Sequence, residues 1–237
     1  MMRRSVVAMV VAASLASACS GGTSLDRAGA GDGPGGDPND AALPRLSIQQ
    51  EQVPADFQVL LYPNGDQVVN EVTLDLCRGR FPSESLRIAR RQTAVLDRDD
   101  RLVFSTEAVG YENEAATAQA FRELRAAQTD CPADFLASPA GGVPVRTLFN
   151  PTPDEGWAPP PAGIERLVFD MFLVDEQSRA ARTAAVYLRR GRILLGLYYY
   201  LLPTEPLPSV GGETTVEGIT EVFAARLREL SDKVVKG

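Results

Sequence analysis

The sequence contains no histidine. Its absence removes the usual general base, the commonest metal ligand and every histidine-dependent triad. Lysine is confined to Lys233 and Lys236 at the C-terminal end, so a buried Schiff-base lysine is not expected. Basic charge is short overall. Lys and Arg number 24 against 31 Asp and Glu, a net charge of −7, which argues against nucleic acid as a partner. Hydrolase and metalloenzyme chemistry therefore has little to build on, and no catalytic group, cofactor or metal site is assigned.

What is present begins with an export signal over residues 1–18. Arg3 and Arg4 form a positive start, and Val6–Leu15 an apolar stretch of about ten residues, too short to span a bilayer as a helix. Leu15-Ala16-Ser17-Ala18-Cys19 resembles the lipobox of bacterial lipoproteins, with Ala16 where leucine is usual. That resemblance implies lipidation of Cys19; Ala16-Ser17-Ala18 would also suit ordinary signal peptidase. A tether rich in Gly, Ala, Asp and Pro follows, so that residues 19–45 are expected to be a lipidated cysteine and a leash too polar to fold. Residues 46–237 are expected to form a single domain.

Export sets an oxidising compartment. With Cys19 assigned to lipid, Cys77 and Cys131 remain as an even pair and are expected to form a structural bridge; a reactive thiol is the functional alternative.

Within the domain, residues 53–65 form an irregular lead-in with a turn at Asn64-Gly65. Val72, Leu74 and Leu76 alternate within Glu71–Cys77 and predict a short strand. Leu86–Leu96 alternates again, interrupted by Arg90 and Gln92. Asp97-Arg98-Asp99-Asp100 reads as a hairpin turn, with Leu102–Tyr111 as the partner strand. Those aspartates could suggest a carboxylate pair or a calcium loop, but the spacing and closing glutamate of an EF-hand are missing, and a solvated turn is expected. Glu107 lies on the partner strand with no acid to pair it. Asn113 predicts the cap of a helix running to Thr129, striped by Ala116, Ala120, Phe121, Leu124 and Ala127.

Prolines and glycines dominate residues 132–163, a long crossing loop with Val143–Phe149 as a candidate extended piece. The only tryptophan, Trp157, sits in this loop and either pins it to the sheet or stacks on a ligand. Arg166–Val174 and Arg182–Leu188 read as strands. Thr214-Thr215-Val216-Glu217 predicts a capping box for a last helix, with Val216, Ile219, Val222, Phe223, Leu227 and Leu230 on one face. Each half thus runs strand, strand, hairpin partner, helix. The fold class is α+β, a mostly antiparallel sheet with two helices packed on one face, and the element order is compatible with a β-β-β-α repeat.

Ile193–Leu202, between Gly191 and Pro203, is apolar on both alternating faces and reads as a central strand. Ile193, Leu195, Leu197, Tyr199 and Leu201 should meet helices. The other face offers a notch at Gly196 beside Tyr198 and Tyr200. Either the crossing loop with Trp157 fills that notch, or Gly196, Tyr198, Tyr200 and Trp157 form a ligand site. An open notch would let Gly196→Val abolish binding with little change in stability.

The lipobox, the Gly-rich tether, Cys77 in Leu-Asp-Leu-Cys, Phe81-Pro82-Ser83-Glu84, a strand pair and a helix ending at Cys131 together resemble exported actinobacterial lipoproteins of the sensor-domain type, similar to the extracellular domain of the kinase PknH. The resemblance implies a ligand-sensing α+β domain with a cleft. The chain departs from it in carrying cysteines for one domain disulfide rather than two, and no kinase domain. The expected function is a non-enzymatic ligand-binding or sensor-like lipoprotein on the outer face of the cell membrane. Its expected partners are the membrane, through the lipid, and an unknown small molecule or envelope protein. A structural or assembly lipoprotein that binds another envelope protein is the alternative, with an enzyme lacking histidine chemistry behind it.

Overall fold

The structure is a computed structural model that describes residues 38–131, 134–137, 145–150, 153–174, 180–201 and 206–236. The expected signal sequence, Cys19 and most of the expected tether lie outside the described residues. Along the chain run α1 (Pro38–Leu46), β1 (Gln58–Leu61), β2 (Arg87–Leu96), β3 (Leu102–Tyr111), α2 (Glu114–Asp130), β4 (Asp134–Ala137), β5 (Val145–Phe149), β6 (Glu165–Val174), β7 (Ala180–Arg190), β8 (Ile193–Leu201), α3 (Val216–Glu229) and α4 (Asp232–Lys236). The strands make one sheet in the order β1-β2-β3-β8-β7-β6-β5-β4, and every neighbouring pair is antiparallel.

β8 lies between β3 and β7, the central place its two apolar faces demand. Ile193, Leu195, Leu197 and Tyr199 are buried on one face together with Phe223 and Leu227 of α3 and Leu43 and Leu46 of α1. The Tyr199 ring lies 4.9 Å from Phe104, and its hydroxyl shares a 3.0 Å hydrogen bond with Thr220 of α3. Leu194 turns to the other face, where Tyr187, Leu167 and Val109 meet Phe121 and Leu124 of α2.

The helices therefore cover both faces, which corrects the expectation of two helices on one face. A strand that is apolar on both sides leaves a full face wet unless each side is roofed. The repeat is corrected for the same reason. β3 and β8 lie side by side and antiparallel, each followed by its helix. A two-fold axis exchanging them stands perpendicular to the sheet and keeps each face in place, so related helices would share a face. β1-β2-β3-α2 and β6-β7-β8-α3 have the same order but opposite hand, and no rotation superimposes them.

The fold also starts before residue 46. Ala42, Leu43 and Leu46 of α1 are buried against the core, so the last part of the expected tether is structural. α2 ends as expected, with the Asn113 side chain accepting from the Ala116 amide at its start. α3 is capped one residue later than the expected box: the Thr215 hydroxyl accepts from the Gly218 amide, while Glu217 accepts from Ala158 at 3.2 Å. Residues 71–77 are not a strand. The Thr73 and Leu74 amides donate to the Glu84 carboxylate at 2.9 and 3.1 Å, so a side chain takes the place of a strand partner.

Cys77 and Cys131 form a disulfide with their Cα atoms 5.6 Å apart, across 54 positions of sequence. In the chain-entropy account such a closure is worth on the order of 4 kcal/mol. Alkylation of the native protein without reductant should leave both residues unlabelled, and Cys77→Ser/Cys131→Ser should lower the unfolding free energy by about that amount. Labelling of both cysteines in the native protein would remove the bridge.

Candidate functional site

Of the residues singled out in the sequence, Gly196, Tyr198 and Tyr200 lie along β8 on its α2 side, but no notch opens there. A β-carbon on Gly196 would sit 2.7 Å from the hydroxyl of Tyr198, whose ring folds back over the glycine. Tyr198 does so to reach β3, where its hydroxyl donates to Glu107 at 3.0 Å. Trp157 packs against the opposite layer, beneath α3, with the Arg166 guanidinium 5.0 Å from its ring. Arg166 in turn pairs with Glu221 of α3 at 3.3 Å. Trp157 thus pins its loop on the α3 side and cannot fill or line the surroundings of Gly196. The four residues do not form one site, because alternation along β8 and the path of residues 153–164 put them on opposite faces.

What the α2 face does hold is a buried polar network. Glu107 is only 2% exposed, and its register partner across the β3–β8 pair is Gly196. Its carboxylate accepts from Arg90 Nε at 2.5 Å, from Thr73 Oγ1 at 2.9 Å and from Tyr198. Burial pushes the Glu107 carboxyl above the usual glutamate range, and Arg90 and the two hydroxyls pull it back only in part. Burial also drives the Tyr198 phenol well above its ordinary value, with Tyr187 and Glu107 adding to the rise. Tyr200, further along the strand, is pushed up to about 12 by burial first and then by Tyr62, Asp75 and Glu107.

The network has a second tier. Arg87 donates to Thr73 Oγ1 at 2.8 Å and pairs with Glu84 at 3.1 Å. Both arginines then reach outward to main-chain carbonyls: Arg90 to Asn64 at 3.0 Å, Arg87 to Val68 at 3.3 Å and to Glu71. The cluster holds down residues 62–76, an irregular segment crossing the sheet between β1 and the disulfide. Asn64 and Asn70 take positive φ angles of 58° and 66° within it.

This clamped segment is also where apolar side chains meet water. Five large apolar side chains among the described residues are exposed by more than a third: Leu61, Val69, Val72, Ile88 and Phe172. Val69 and Val72, at 75% and 64%, lie in the segment, Leu61 at its start, and Ile88 next to the clamping Arg87.

Elsewhere, Asp97 turns inward to its own hairpin, accepting from the Asp99 and Arg101 amides at 2.9 Å each and from Arg101 Nε at 2.7 Å. Burial would raise its carboxyl, but these bonds outweigh it and hold the group below the usual range. The turn is a folding device. Beside the disulfide lies an open depression of about 330 Å³ lined by Cys77, Arg80, Glu123, Ala127 and Asp130. Glu123 is already taken by Ser83 and by Gln119. Among the described residues no group of three or more Cys, Asp or Glu is placed to hold a metal ion. No helix among them is long and apolar enough to cross a membrane.

Sequence reasoning missed the pairing of Arg90 with Glu107, though a signal existed. The signal is the Arg90 break in the apolar alternation; the pairing itself depends on a register shift between Val95 and Leu96 that sets Gln92 opposite Glu107 and that counting from the turn does not supply. The chain matches no family model and no curated protein, so the role of the site rests on its own geometry.

Gly196→Val should now cost stability, contrary to the expectation for an open notch. It must expel the Tyr198 ring and strand the Glu107 carboxylate, an effect of about 3 kcal/mol or more in denaturant titration. An unchanged midpoint would show that the notch is open after all. Arg90→Met and Glu107→Leu should each cost about 3–5 kcal/mol, and the double substitution much less than their sum. Additive losses would mean that the pair is not coupled.

Proposed function

We propose that the chain is an envelope lipoprotein, anchored to the outer face of the membrane through Cys19, whose domain works by binding and not by catalysis. The observation that carries this reading is the clamped segment 62–76. Four of the five most exposed large apolar side chains are in it or beside it, and two buried arginines hold its backbone in place. Exposed apolar side chains gathered on one loop of a rigid scaffold are the usual form of an interaction element. Rigidity matters because a loop already ordered loses less entropy on binding.

The segment lies clamped against the sheet with Val69 and Val72 turned to water, which favours another envelope protein as partner. This is the assembly-type reading of the lipoprotein. The sensor-like reading, in which a small ligand is held, draws support from the open depression beside Cys77. Native mass spectrometry of the purified domain after exposure to a metabolite extract separates the two: a bound small molecule favours the sensor.

A photoreactive residue at Val69 or Val72 of the full chain in intact envelopes should give discrete protein adducts, and the same residue at exposed Arg98 should not. Failure at both valines would remove the segment as a recognition element. Cys19→Ala should shift the protein from the membrane to the soluble fraction; equal partition of wild type and variant would remove the lipid anchor.

A further inference from the structure

Resting on that reading of segment 62–76, we infer that its partner is a protein surface offering an apolar socket rimmed by lysine or arginine. The outward side of the segment sets this chemistry. Residues 62–76 contain Asp66, Glu71 and Asp75 and no basic residue. The two arginines that bond its backbone do not offset these charges at the surface, and Arg80, which is exposed, lies beyond the segment on the far side of Cys77. Arg87 and Arg90 are 9% and 5% exposed and point their guanidinium groups at Glu84, Glu107, Gln92 and main-chain carbonyls. Solvent therefore meets Val69 and Val72 on a segment whose own charges are all acidic, while the two arginines clamped beneath it are buried.

Asp66 and Asp75 are exposed, and neither has a salt-bridge partner among the described residues. A cationic rim would complement the exposed, unpaired Asp66, and an acidic one would repel it. The same charge argues against the other occupants of an exposed apolar loop. An anionic lipid surface would repel these carboxylates. A second copy of the chain, docking face to face, would set one acidic segment against another.

The test uses the full chain in intact envelopes, with a photoreactive residue at Val72 and adduct yield as the readout. Asp66→Lys/Asp75→Lys should lower the yield of the protein adduct by about tenfold, because like charges then face each other across the rim. Rising salt should lower the wild-type yield. Asp66 is exposed and bonds none of the Glu107 network, so Asp66→Lys alone should keep the wild-type melting temperature and still lower the yield, which separates a lost rim from a weakened fold. Arg98→Glu, in the Asp97–Asp100 turn, should leave the yield unchanged.

A yield indifferent to both charge reversal and salt would overturn the cationic rim while leaving segment 62–76 a binding element. Adducts to lipid, or to a differently tagged second copy, would overturn the choice of partner. No adduct from Val69 or Val72 would remove the binding element itself, and this inference with it.

Discussion

A single buried carboxylate organises one side of this molecule. Glu107 lies in the middle of β3, almost wholly removed from water, where an unpaired charge would be prohibitive. Its satisfaction draws in residues from three places in the chain. Arg90 comes from the neighbouring strand, Thr73 from the crossing segment and Tyr198 from β8, while Gly196 provides the room for Tyr198 to fold back. The glycine that breaks the apolar run of β8 is thereby explained. Any larger side chain at that position would push the tyrosine ring away from the carboxylate it must reach.

The two faces of the sheet are stabilised by different means. On the α1 and α3 side the contact is apolar, built on Phe104, Tyr199, Phe223 and the leucines of β8. On the α2 side an apolar half under Phe121 and Leu124 gives way to the ionic network under residues 62–76. An ionic network of this kind is a weak source of net stability, since desolvation offsets most of the Coulombic gain. It does fix geometry, because each arginine has donors left over for the carbonyls of Asn64, Val68 and Glu71. An irregular segment with no strand partner thus acquires a defined course. The disulfide at Cys77 closes its far end onto α2.

That division of labour links fold to function. Apolar packing on one side makes a rigid platform, and the charged cluster on the other mounts a loop on it. Val69 and Val72 remain in water, whereas Val95, Val103, Val109, Val168, Val186 and Val210 are buried. The proposed cationic partner rests on this arrangement, in which Arg87 and Arg90 turn inward beneath a segment whose own charges are acidic.

Much of the architecture was legible along the chain. Two-sided apolarity placed β8 at the centre, Asn113 and the alanine stripe fixed α2, and the aspartate turn fixed the β2–β3 hairpin, because these signals depend on neighbours a few residues away. The pairing of Cys77 with Cys131 followed from setting Cys19 aside for lipid in an oxidising compartment, which left an even pair. The sequence could not say which face each helix would cover, since an amphipathic stripe names the side that is buried and not the sheet face that buries it. It suggested a repeat where the hand of the two halves differs, and it grouped Trp157 with Gly196 although a sheet separates them. Local alternation read residues 71–77 as a strand, yet their amides are taken by Glu84 from beyond the turn. The chain by itself determined its elements, its central strand and its oxidised pair. Only the tertiary structure decided that Glu107 would be neutralised by Arg90, Thr73 and Tyr198, because a buried charge finds partners through space, at separations of 17, 34 and 91 residues.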